Sequence, residues 1–498
     1  MNIAPLDPSD VQGLVRFGFG ALKEASFLLL NIRNAEAARL WIETAPITTA
    51  QEMSPPPKTA LQVAFTAQGL RALGVEEDLL AGFSPEFLSG MSGDESRSRR
   101  LGDVGANSPN CWSWGGPGKV PDIVVMIYAQ PGLLKTWTST IQNAAWNGAF
   151  EVLDCLSTSD LDGIEPFGFV DGISQPAVDW KRQRTAASDE LTFGNLVSLG
   201  EFLLGYPNEY GKYTHRPLLP VDAESSAVLP FAEDDPGKRD FGRNGTFLIF
   251  RQLKQDVQSF WRFVDNQAGQ AASTGKQLAE AMVGRRMDGT PLIPLSQNAI
   301  AGIDSKSAAQ NQFTYDADRD GVRCPFGAHI RRTNPRNADL PASNGLLGRL
   351  LHMLGFGNAR YRDDVIASTR FHRLLRRGRE YGPQLSPEQA VSGSPDSSER
   401  GLHFICFAAN ILRQFEFVQN SWVMNTKFDA MSEESDPLLG SREAIDGCPF
   451  TDSFSLPQES TVRTRIKNVP QFVTVRGGAY FFLPSLSALR YLAAMRHS

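Results

Sequence analysis

The chain alternates short apolar runs with amphipathic segments, a rhythm that predicts strands followed by helices. The apolar runs of the first half predict strands at Ala25–Ile32, Thr59–Phe65, Asp122–Tyr128 and Phe150–Leu156. Apolar residues at helical spacing predict helices at Ala35–Thr44, Thr66–Leu73 and Gly132–Asn147. This order of strands and helices is typical of a ferredoxin-like unit, an antiparallel sheet with helices on one face.

The second half repeats this scheme. Its apolar runs predict strands at Gly245–Arg251, Ser368–Arg377, Leu402–Ala408 and Ala479–Leu483, and helical spacing predicts helices at Asp256–Asn266 and Ala409–Asn425. Although 498 residues would allow three domains, the repeat predicts an α+β fold of two tandem ferredoxin-like domains. The boundary is expected in the polar, Gly/Pro-rich stretch Asp222–Asn244, which divides the chain into residues 1–235 and 236–498.

Composition narrows the possible functions. The 49 Lys and Arg residues are outnumbered by 55 Asp and Glu, a net charge of −6 that argues against nucleic acid as a partner. The five cysteines are scattered and form no CxxC pair, which disfavours a disulfide framework and a zinc ribbon. The N-terminus lacks a secretory signal and the longest apolar runs are strand-sized. We therefore expect a soluble, cytoplasmic protein with no membrane partner.

Several familiar motifs are incomplete or absent. Asp316–Gly321 matches the start of a calcium loop, but Gly327 stands where a bidentate Glu is required. Gly115–Lys119 is followed by Val120 rather than Ser or Thr, so it fails as a phosphate loop. The chain has no serine nucleophile elbow and no HExxH helix.

Two other segments carry candidate chemistry. Gly168–Pro176 sets Asp171 among apolar residues between glycines, where burial would raise its pKa and make it an acid/base group. Taken alone, Asp171 fits the cap of a turn between glycines better than an acid/base group. Cys324–Arg336 places His329 in an apolar, Gly/Pro-shaped setting followed by three arginines. A neutral imidazole there would suit a metal, with the arginines holding anionic groups such as propionates.

Together these segments resemble the dye-decolorising peroxidase family of haem enzymes, over almost the whole chain. Gly168–Gly172 fits the family's GxxDG signature, and Cys324–Arg336 fits its proximal-histidine segment. Three further stretches are similar to the distal-arginine segment, the distal Leu-x-Phe pair and the last strand, respectively Arg370–Gly382, Leu402–Phe404 and Phe481–Ser485. The resemblance implies one haem b per chain, held mainly by the second domain, and the longer-chain subgroup of the family.

The resemblance also implies roles for the residues around the haem. His329 is the implied iron ligand, and its other ring nitrogen should donate to a carboxylate. Similarity points to Asp436 as that carboxylate, with Asp429 and Glu416 left open. On the distal side, Asp171 would move the peroxide proton and Arg376 would stabilise the separating oxygens. A carboxylate in this role predicts an acidic pH optimum.

Strand alternation supports the choice of arginine, since it places Arg376 on one face with Leu374, Arg370 and His372, and Arg377 on the other. Leu402 and Phe404 share a face, either packing over the distal haem edge or belonging to the sheet core. Arg331 and Arg251 would hold the propionates or form ion pairs between the domains.

Other residues receive weaker assignments. Bulky dyes would need electron transfer from a surface aromatic residue, for which Trp422 and Tyr381 are candidates. Asn337–Arg362 is an apparent insertion that makes the identity of the distal arginine less secure. No ligand role is assigned to His215, His352, His372 and His403.

The predicted activity is therefore reduction of hydrogen peroxide with oxidation of dyes, phenols or other aromatic donors. The alternatives are a haem-handling protein of the same fold, such as a chlorite-dismutase-like enzyme or a deferrochelatase, and a haem carrier or sensor. The Asp171 and Arg376 pair favours the peroxidase, because a carrier has no use for it. A monomer and a homo-oligomer both stay open.

Overall fold

A computed structural model describes the chain. It covers residues 6–183, 195–221, 224–268, 274–294, 310–311, 313–336, 369–445 and 447–495. The predicted insertion Asn337–Arg362, with His352, lies outside the described residues.

Strands and helices occur throughout the described residues. The strands are β1 (Glu24–Ile32), β2 (Thr59–Phe65), β3 (Ile123–Ala129), β4 (Phe150–Ser157), β5 (Ala177–Val178), β6 (Leu196–Val197), β7 (Leu218–Pro220), β8 (Lys238–Asp240), β9 (Thr246–Gln255), β10 (Leu375–Arg376), β11 (Arg379–Tyr381), β12 (Gly401–Ala408), β13 (Phe454–Leu456), β14 (Thr464–Ile466) and β15 (Val473–Leu483). The α-helices are α1 (Leu14–Phe17), α2 (Ala35–Thr44), α3 (Ala67–Ala72), α4 (Glu77–Leu80), α5 (Pro85–Ser89), α6 (Glu95–Leu101), α7 (Leu134–Ile141), α8 (Ala144–Ala149), α9 (Val257–Gln267), α10 (Gly275–Val283), α11 (His329–Thr333), α12 (Pro387–Ser392) and α13 (Leu486–Ala494).

The remaining helical segments are short. Single 3₁₀ turns occur at Pro8–Asp10, Gly105–Asn107, Pro109–Cys111, Leu199–Glu201, Glu224–Val228, Asp316–Asp318, Thr369–His372 and Phe428–Ala430. Two π-helical segments lie at Leu412–Glu416 and Val418–Val423. None of the helices in the described part of the chain combines the length and apolar character that crossing a bilayer requires.

The principal sheet is antiparallel and runs in the order β10-β12-β9-β15-β2-β3-β1-β4, with β11 also paired to β12. Strands of the first half form one side of this order and strands of the second half form the other. The two sides are joined where β2 pairs with β15 through a single residue pair, Phe65 with Phe482. The predicted α+β class with antiparallel pairing is confirmed, and the division at residues 235 and 236 stays a prediction.

Both faces of the central strands are buried. Leu28 and Leu30 of β1 pack with Trp41 on one face, while Phe27 and Leu29 pack with the residues of the other face. This differs from the expectation of a sheet covered on one face only. Burial on both faces explains why the strand runs are continuously apolar instead of alternating.

The predicted strand Ser368–Arg377 is wrong for most of its described length. Residues Thr369–His372 form a 3₁₀ turn, and only Leu375–Arg376 pair with β12. Aromatic contacts outside the sheet hold the turn, because Phe371 stacks on Tyr210 at 4.0 Å between ring centroids. His372 stacks on Phe417 in the same way, at 3.7 Å.

Two predicted helices also differ from the structure. The segment Gly132–Asn147 breaks into α7 and α8, because the Asn143 side chain accepts a hydrogen bond from the Trp146 N–H and starts a new helix. The segment Ala409–Asn425 is π-helical over most of its length. Such wide turns are frequent at functional sites, and this one borders the cavity described next.

Candidate active site

A cavity of about 280 Å³ lies against the face of the sheet formed by β9, β12 and β15. The sheet contributes apolar side chains to its wall, including Leu253, Leu402 and Val475. The loop Gly168–Pro176, the start of α11 and the π-helical segments form other parts of the wall. The cavity therefore collects residues that lie far apart in the sequence.

His329 is the first residue of α11 and lines this cavity. Its Nδ1 lies 2.9 Å from Oδ2 of Asp436. Within the described residues, Nε2 of His329 has no hydrogen-bond partner. The carboxylate fixes the tautomer with the proton on Nδ1, so the lone pair of Nε2 stays free to bind a metal.

Asp436 is fully buried and engaged on both oxygens. Its Oδ1 accepts hydrogen bonds from the N–H groups of Leu438 and Leu439, each at 2.9 Å. Burial alone would raise the pKa of Asp436, but the adjacent His329 and Arg332 outweigh it and lower that pKa. Asp436 is therefore held as a carboxylate, the form that makes the strongest hydrogen bond to an imidazole N–H.

Arg332 ties α11 to the segment that carries Asp436. Its guanidinium is fully buried and donates to the carbonyl oxygens of Trp422, at 2.7 Å, and Asn425, at 3.1 Å. It also donates to the carbonyl of Glu434, two residues before Asp436. This clamp fixes the helix of His329 relative to its carboxylate partner.

Asp171 and Arg376 meet in the same cavity. Nη1 of Arg376 donates to Oδ1 of Asp171 at 2.9 Å, although the residues are 205 positions apart. Gln175 accepts a hydrogen bond from the Arg376 N–H at 3.0 Å and so joins the loop of Asp171 to β10. Gly172 follows Asp171 with a φ of 80°, a conformation that favours glycine and turns the loop back beside the carboxylate.

The charge on Asp171 is stabilised by its neighbours. Burial raises the pKa of this carboxyl, but Arg376, the Gly172 N–H and His329 outweigh burial and lower the pKa below its usual value. Asp171 is therefore a carboxylate across the mildly acidic range. It can accept a proton from a molecule in the cavity, beside a guanidinium that stabilises negative charge.

The sheet wall contains the other predicted residues. Leu402 and Phe404 of β12 line the cavity. On the neighbouring strand β9, Leu402 is paired in register with Leu253 and Phe404 with Arg251. Arg251 also lines the cavity, but its guanidinium forms a buried ion pair with Asp103. Burial raises the pKa of Asp103 to about 6 in spite of Arg251. The predicted ion pair between the two halves of the chain is thus present at the cavity wall.

The structure does not bring Arg331 to the cavity. Its guanidinium donates to Oδ2 of Asp318, at 3.2 Å, and to the carbonyl of Cys324, and it lies over the ring of Tyr315. Arg331 follows His329 by two residues, so it projects from another side of the helix. The structure thus corrects its prediction as a propionate partner.

Of the alternative acceptors for His329, neither contacts it. Glu416 is paired with Arg97 and accepts a hydrogen bond from the hydroxyl of Tyr480 at 3.0 Å. Asp429 is exposed. The hydrogen bond of His329 therefore goes to Asp436.

The two aromatic residues predicted at the surface are buried. Trp422 is 3% exposed and Tyr381 is 7% exposed. Trp422 lines the cavity beside His372, and Tyr381 stacks on His403 on the other face of β12. The structure corrects their assignment as surface electron donors, because neither ring is open to a bulky dye.

Sequence reasoning missed Glu165, Arg285 and Glu380, all of which line the cavity. Burial lowers the pKa of Arg285 to about 10, and burial raises the pKa of Glu380. Glu165 lies six residues before Asp171 in the run Gly163–Gly172, whose scarcity of other polar side chains was the available signal. Arg285 and Glu380 stand in polar surroundings that gave none.

Comparison with known proteins gives a consistent result. The chain is 30% identical to the dye-decolorizing peroxidase msp1 of Mycetinis scorodonius, over 98% of this chain and 88% of that protein. It is 28% identical to the dye-decolorizing peroxidase AauDyP1 of Auricularia auricula-judae, over 97% of this chain and 86% of that protein. No family model matches the chain.

Solved structures agree with these relatives. A dye-decolorizing peroxidase in complex with 2,6-dimethoxyphenol superposes with a TM-score of 0.70 at 25% identity, covering 98% of this chain and all of that one (100%). AauDyP in complex with imidazole superposes with a TM-score of 0.71 at 25% identity and the same coverage.

Proposed function

This chain belongs to the dye-decolorising peroxidase family, and from that premise we propose that it uses haem b in the cavity to reduce hydrogen peroxide and oxidise aromatic donors. Members of the family are haem enzymes, and the chain is accordingly a peroxidase. The form of the haem and the roles of the individual residues belong to our proposal.

One observation carries the proposal. A histidine held by a buried carboxylate, His329 with Asp436, lines the same cavity as a carboxylate held by a guanidinium, Asp171 with Arg376. The first pair suits an electron-rich metal ligand, and the second suits proton transfer beside developing negative charge.

The residues present fit a haem. The cavity has an apolar wall on the sheet side, and Nε2 of His329, which has no partner in the part of the chain that the structure describes, is available to bind iron. Within the described residues no group of three or more His, Cys, Asp or Glu side chains could hold a metal ion by itself. Bound haem supplies the redox centre that peroxide oxidises and aromatic donors reduce.

The side chains of the cavity handle the proton. Asp171 accepts a proton from one oxygen of hydrogen peroxide and returns it to the other, which then leaves as water. Arg376 stabilises the negative charge that develops while the oxygens separate. Over a full cycle, one hydrogen peroxide and two donor molecules give two waters and two one-electron-oxidised donors.

The sheet wall controls which molecules enter. Leu402 and Phe404 line the cavity together with Arg376 and Asp171. In our proposal these apolar side chains admit small peroxide to Asp171 more easily than a large dye. The complex of a related peroxidase with 2,6-dimethoxyphenol supports phenols as donors for this chain.

A direct experiment tests this function. The protein loaded with haem should change its visible absorption spectrum on addition of one equivalent of hydrogen peroxide, and it should then oxidise 2,6-dimethoxyphenol. His329→Ala should bind haem much more weakly, with the spectrum of unliganded haem. Retention of the wild-type haem spectrum by His329→Ala would remove the axial assignment, and a haem protein inert to peroxide would remove the function.

The state of the cysteines indicates the kind of cellular compartment in which the protein works. All five are free thiols, and Cys324, Cys406 and Cys448 are buried. Free thiols are typical of a reducing compartment. Our proposal therefore includes a cytoplasmic location, which cell fractionation would test.

A further inference from the structure

Glu165 organises the loop that carries Asp171. Its Oε1 accepts a hydrogen bond from the N–H of Phe169 and its Oε2 accepts one from the N–H of Phe167, each at 3.0 Å. The backbone of Glu165 also pairs with Phe169, whose carbonyl accepts at 2.9 Å. The carboxyl group therefore fills the inside of the turn that leads into Asp171.

Gln255 of β9 completes the surroundings of this carboxyl. Its Nε2 donates to Oε2 of Glu165 at 2.7 Å, while its own Oε1 is buried without a partner among the described residues. An amide group beside a carboxyl can serve two protonation states, because it donates in one orientation and accepts in the other. Rotation of the Gln255 amide would offer its oxygen to a protonated Glu165.

The charged groups near Glu165 come from several elements. Asp171, on the same loop, is the charge that acts on Glu165 directly and raises its pKa. The groups that face Asp171 are Arg376 of β10, Glu380 of β11, His329 of α11 and Arg285, which follows α10. From β9, Gln255 is uncharged and Arg251 is paired with Asp103.

We propose that Glu165 is a positioning residue that switches the distal site with pH, resting on the peroxidase function proposed above. Neutral Glu165 holds the loop and leaves Asp171 as the carboxylate that takes the peroxide proton. Ionised Glu165 places a second negative charge beside Asp171 and opposes any anion that forms in the cavity. The Gln255 amide reorients to satisfy whichever form is present.

The pH range follows from the setting of the carboxyl. Burial raises the pKa of Glu165 to about 7, against the hydrogen bonds from Phe167, Gln255 and Phe169 that favour its charged form. The lowered pKa of Asp171 leaves that group ionised well below this range. The site thus has one carboxylate and one carboxylic acid at mildly acidic pH, and two carboxylates above neutrality.

Cyanide binding to the haem-loaded protein tests the proposal with a spectroscopic readout. For the wild type, we expect the cyanide dissociation constant to rise about tenfold between about pH 6 and about pH 8, a loss of about 1.4 kcal/mol in binding. Glu165→Gln, which keeps the size of the side chain and removes its ionisation, should show no such rise. The second-order rate constant with hydrogen peroxide should fall over the same pH range in the wild type and stay unchanged in Glu165→Gln.

Gln255→Leu provides a second test, in which the pH-dependent change of cyanide binding should shift along the pH scale instead of disappearing. Without the Nε2 donor, ionised Glu165 loses a hydrogen bond, so its pKa rises and the weakening of cyanide binding should move to higher pH. Glu416→Gln is the matched control, because Glu416 is another buried carboxyl with a raised pKa but pairs with Arg97 and does not line the cavity. This variant should reproduce the wild-type pH dependence.

The possible outcomes distinguish a failure of the role proposed for Glu165 from a failure of the proposed peroxidase function. If Glu165→Gln keeps the wild-type change between pH 6 and pH 8 in a haem protein that turns over peroxide, the role of Glu165 is wrong and the peroxidase function stands. If the wild type carries haem but does not react with peroxide, the proposed function itself is lost. A shift to lower pH in Gln255→Leu would also overturn the switch.

Discussion

In the proposed mechanism Asp171 is the distal base, and it combines two properties that such a base needs, an ionised carboxylate and a neighbouring cation, Arg376. Asp171→Asn keeps the shape of the side chain and removes the base. We expect peroxide-driven turnover to fall by about 10²- to 10⁴-fold while the haem absorption spectrum is retained. Stopped-flow measurement of the reaction with hydrogen peroxide would check this. Asp160→Asn, on the exposed ion pair with Lys23, is the control that should change neither property.

In the proposed mechanism the same residue also sets how the activity declines in acid. Because Arg376 and the other neighbours of Asp171 lower its pKa below the usual 3.8, its base form persists in mild acid and is lost only as pH falls through that lowered value. An acidic optimum is therefore expected, as the choice of a carboxylate predicted. Unaltered turnover in Asp171→Asn would contradict both expectations.

Asp436 should act on the iron through His329. Asp436→Asn replaces a charge-assisted hydrogen bond with a neutral one of about half its strength, so the imidazole donates less electron density. We expect a lower iron–imidazole stretching frequency in the resonance Raman spectrum of the reduced haem protein. Asp429→Asn, at the exposed alternative carboxylate, should leave the frequency unchanged. Equal frequencies in all three proteins would show that Asp436 does not tune the ligand.

At the residue scale, sequence located the site segments better than the side-chain directions within them. The ordered resemblance pointed to His329, Asp171 and Arg376, which the structure brings to one cavity. It could not show that Arg331 turns toward Asp318, because that direction depends on the packing of a five-residue helix. Glu165 was missed because its contacts are made by backbone N–H groups and by Gln255, which is 90 residues away, so the scarcity of other polar side chains around it was the only local signal.

Among the elements, α11 depends on a tertiary clamp, since a helix of five residues has little stability of its own. Arg332→Met would leave the carbonyls of Trp422 and Glu434 buried without their charged donor, and it would remove the hydrogen bond to the carbonyl of Asn425. We expect a loss of about 3 kcal/mol or more in the free energy of unfolding, together with faster haem dissociation.

Chemical denaturation and haem transfer to apomyoglobin would measure these two losses. Arg463→Met, at an exposed arginine, is the matched control and should change neither. A loss of stability with unchanged haem dissociation would show that Arg332 supports the fold without positioning His329.

Elements were predicted well wherever burial alone decided them. The four strands of the first half lie within one residue of their predicted ends. The run of β3 is buried along its whole length and is read directly from its apolar residues, whereas β4 is buried only at Phe150 and Leu156. The prediction of a strand over Thr369–His372 was wrong, because aromatic stacking overrides the strand-like composition of this segment. Phe371 stacks on Tyr210, and His372 stacks on Phe417. The π-helical segments were predicted as helix, since their apolar spacing is close to that of an α-helix.

For the whole molecule, the sheet continues across the two halves of the chain at Phe65 and Phe482, and the cavity takes side chains from both. Asp171 belongs to the first half, and His329 and Arg376 belong to the second. The hydrogen bond between Asp171 and Arg376 therefore also joins the halves. Such long-range pairing is invisible to local sequence patterns, which is why the tandem strands were predicted and their continuity was not.

Two buried titratable groups, Glu165 and His403, lie on different faces of the sheet. They should make the free energy of unfolding depend on pH in opposite directions. Glu165 has a pKa of about 7 in the fold against 4.5 unfolded, because burial disfavours its charged form. The folded state then holds more protons than the unfolded state, so this contribution to stability falls as pH rises from about 4.5 to about 7. His403 has a pKa lowered by burial to about 4 from 6.5, so its contribution falls as pH drops from about 6.5 to about 4.

Two substitutions separate these contributions, each on the order of 3 kcal/mol over its range. Relative to Glu165→Gln, the wild type should lose unfolding free energy as pH rises through the range of Glu165. Relative to His403→Phe, whose ring would lie between Phe27 and Phe250, the wild type should gain unfolding free energy as pH rises through the range of His403. Urea denaturation between about pH 4 and about pH 8 would measure both differences. Slopes of the same sign would contradict the assignment, because a neutral buried acid and a neutral buried base must respond to pH in opposite directions.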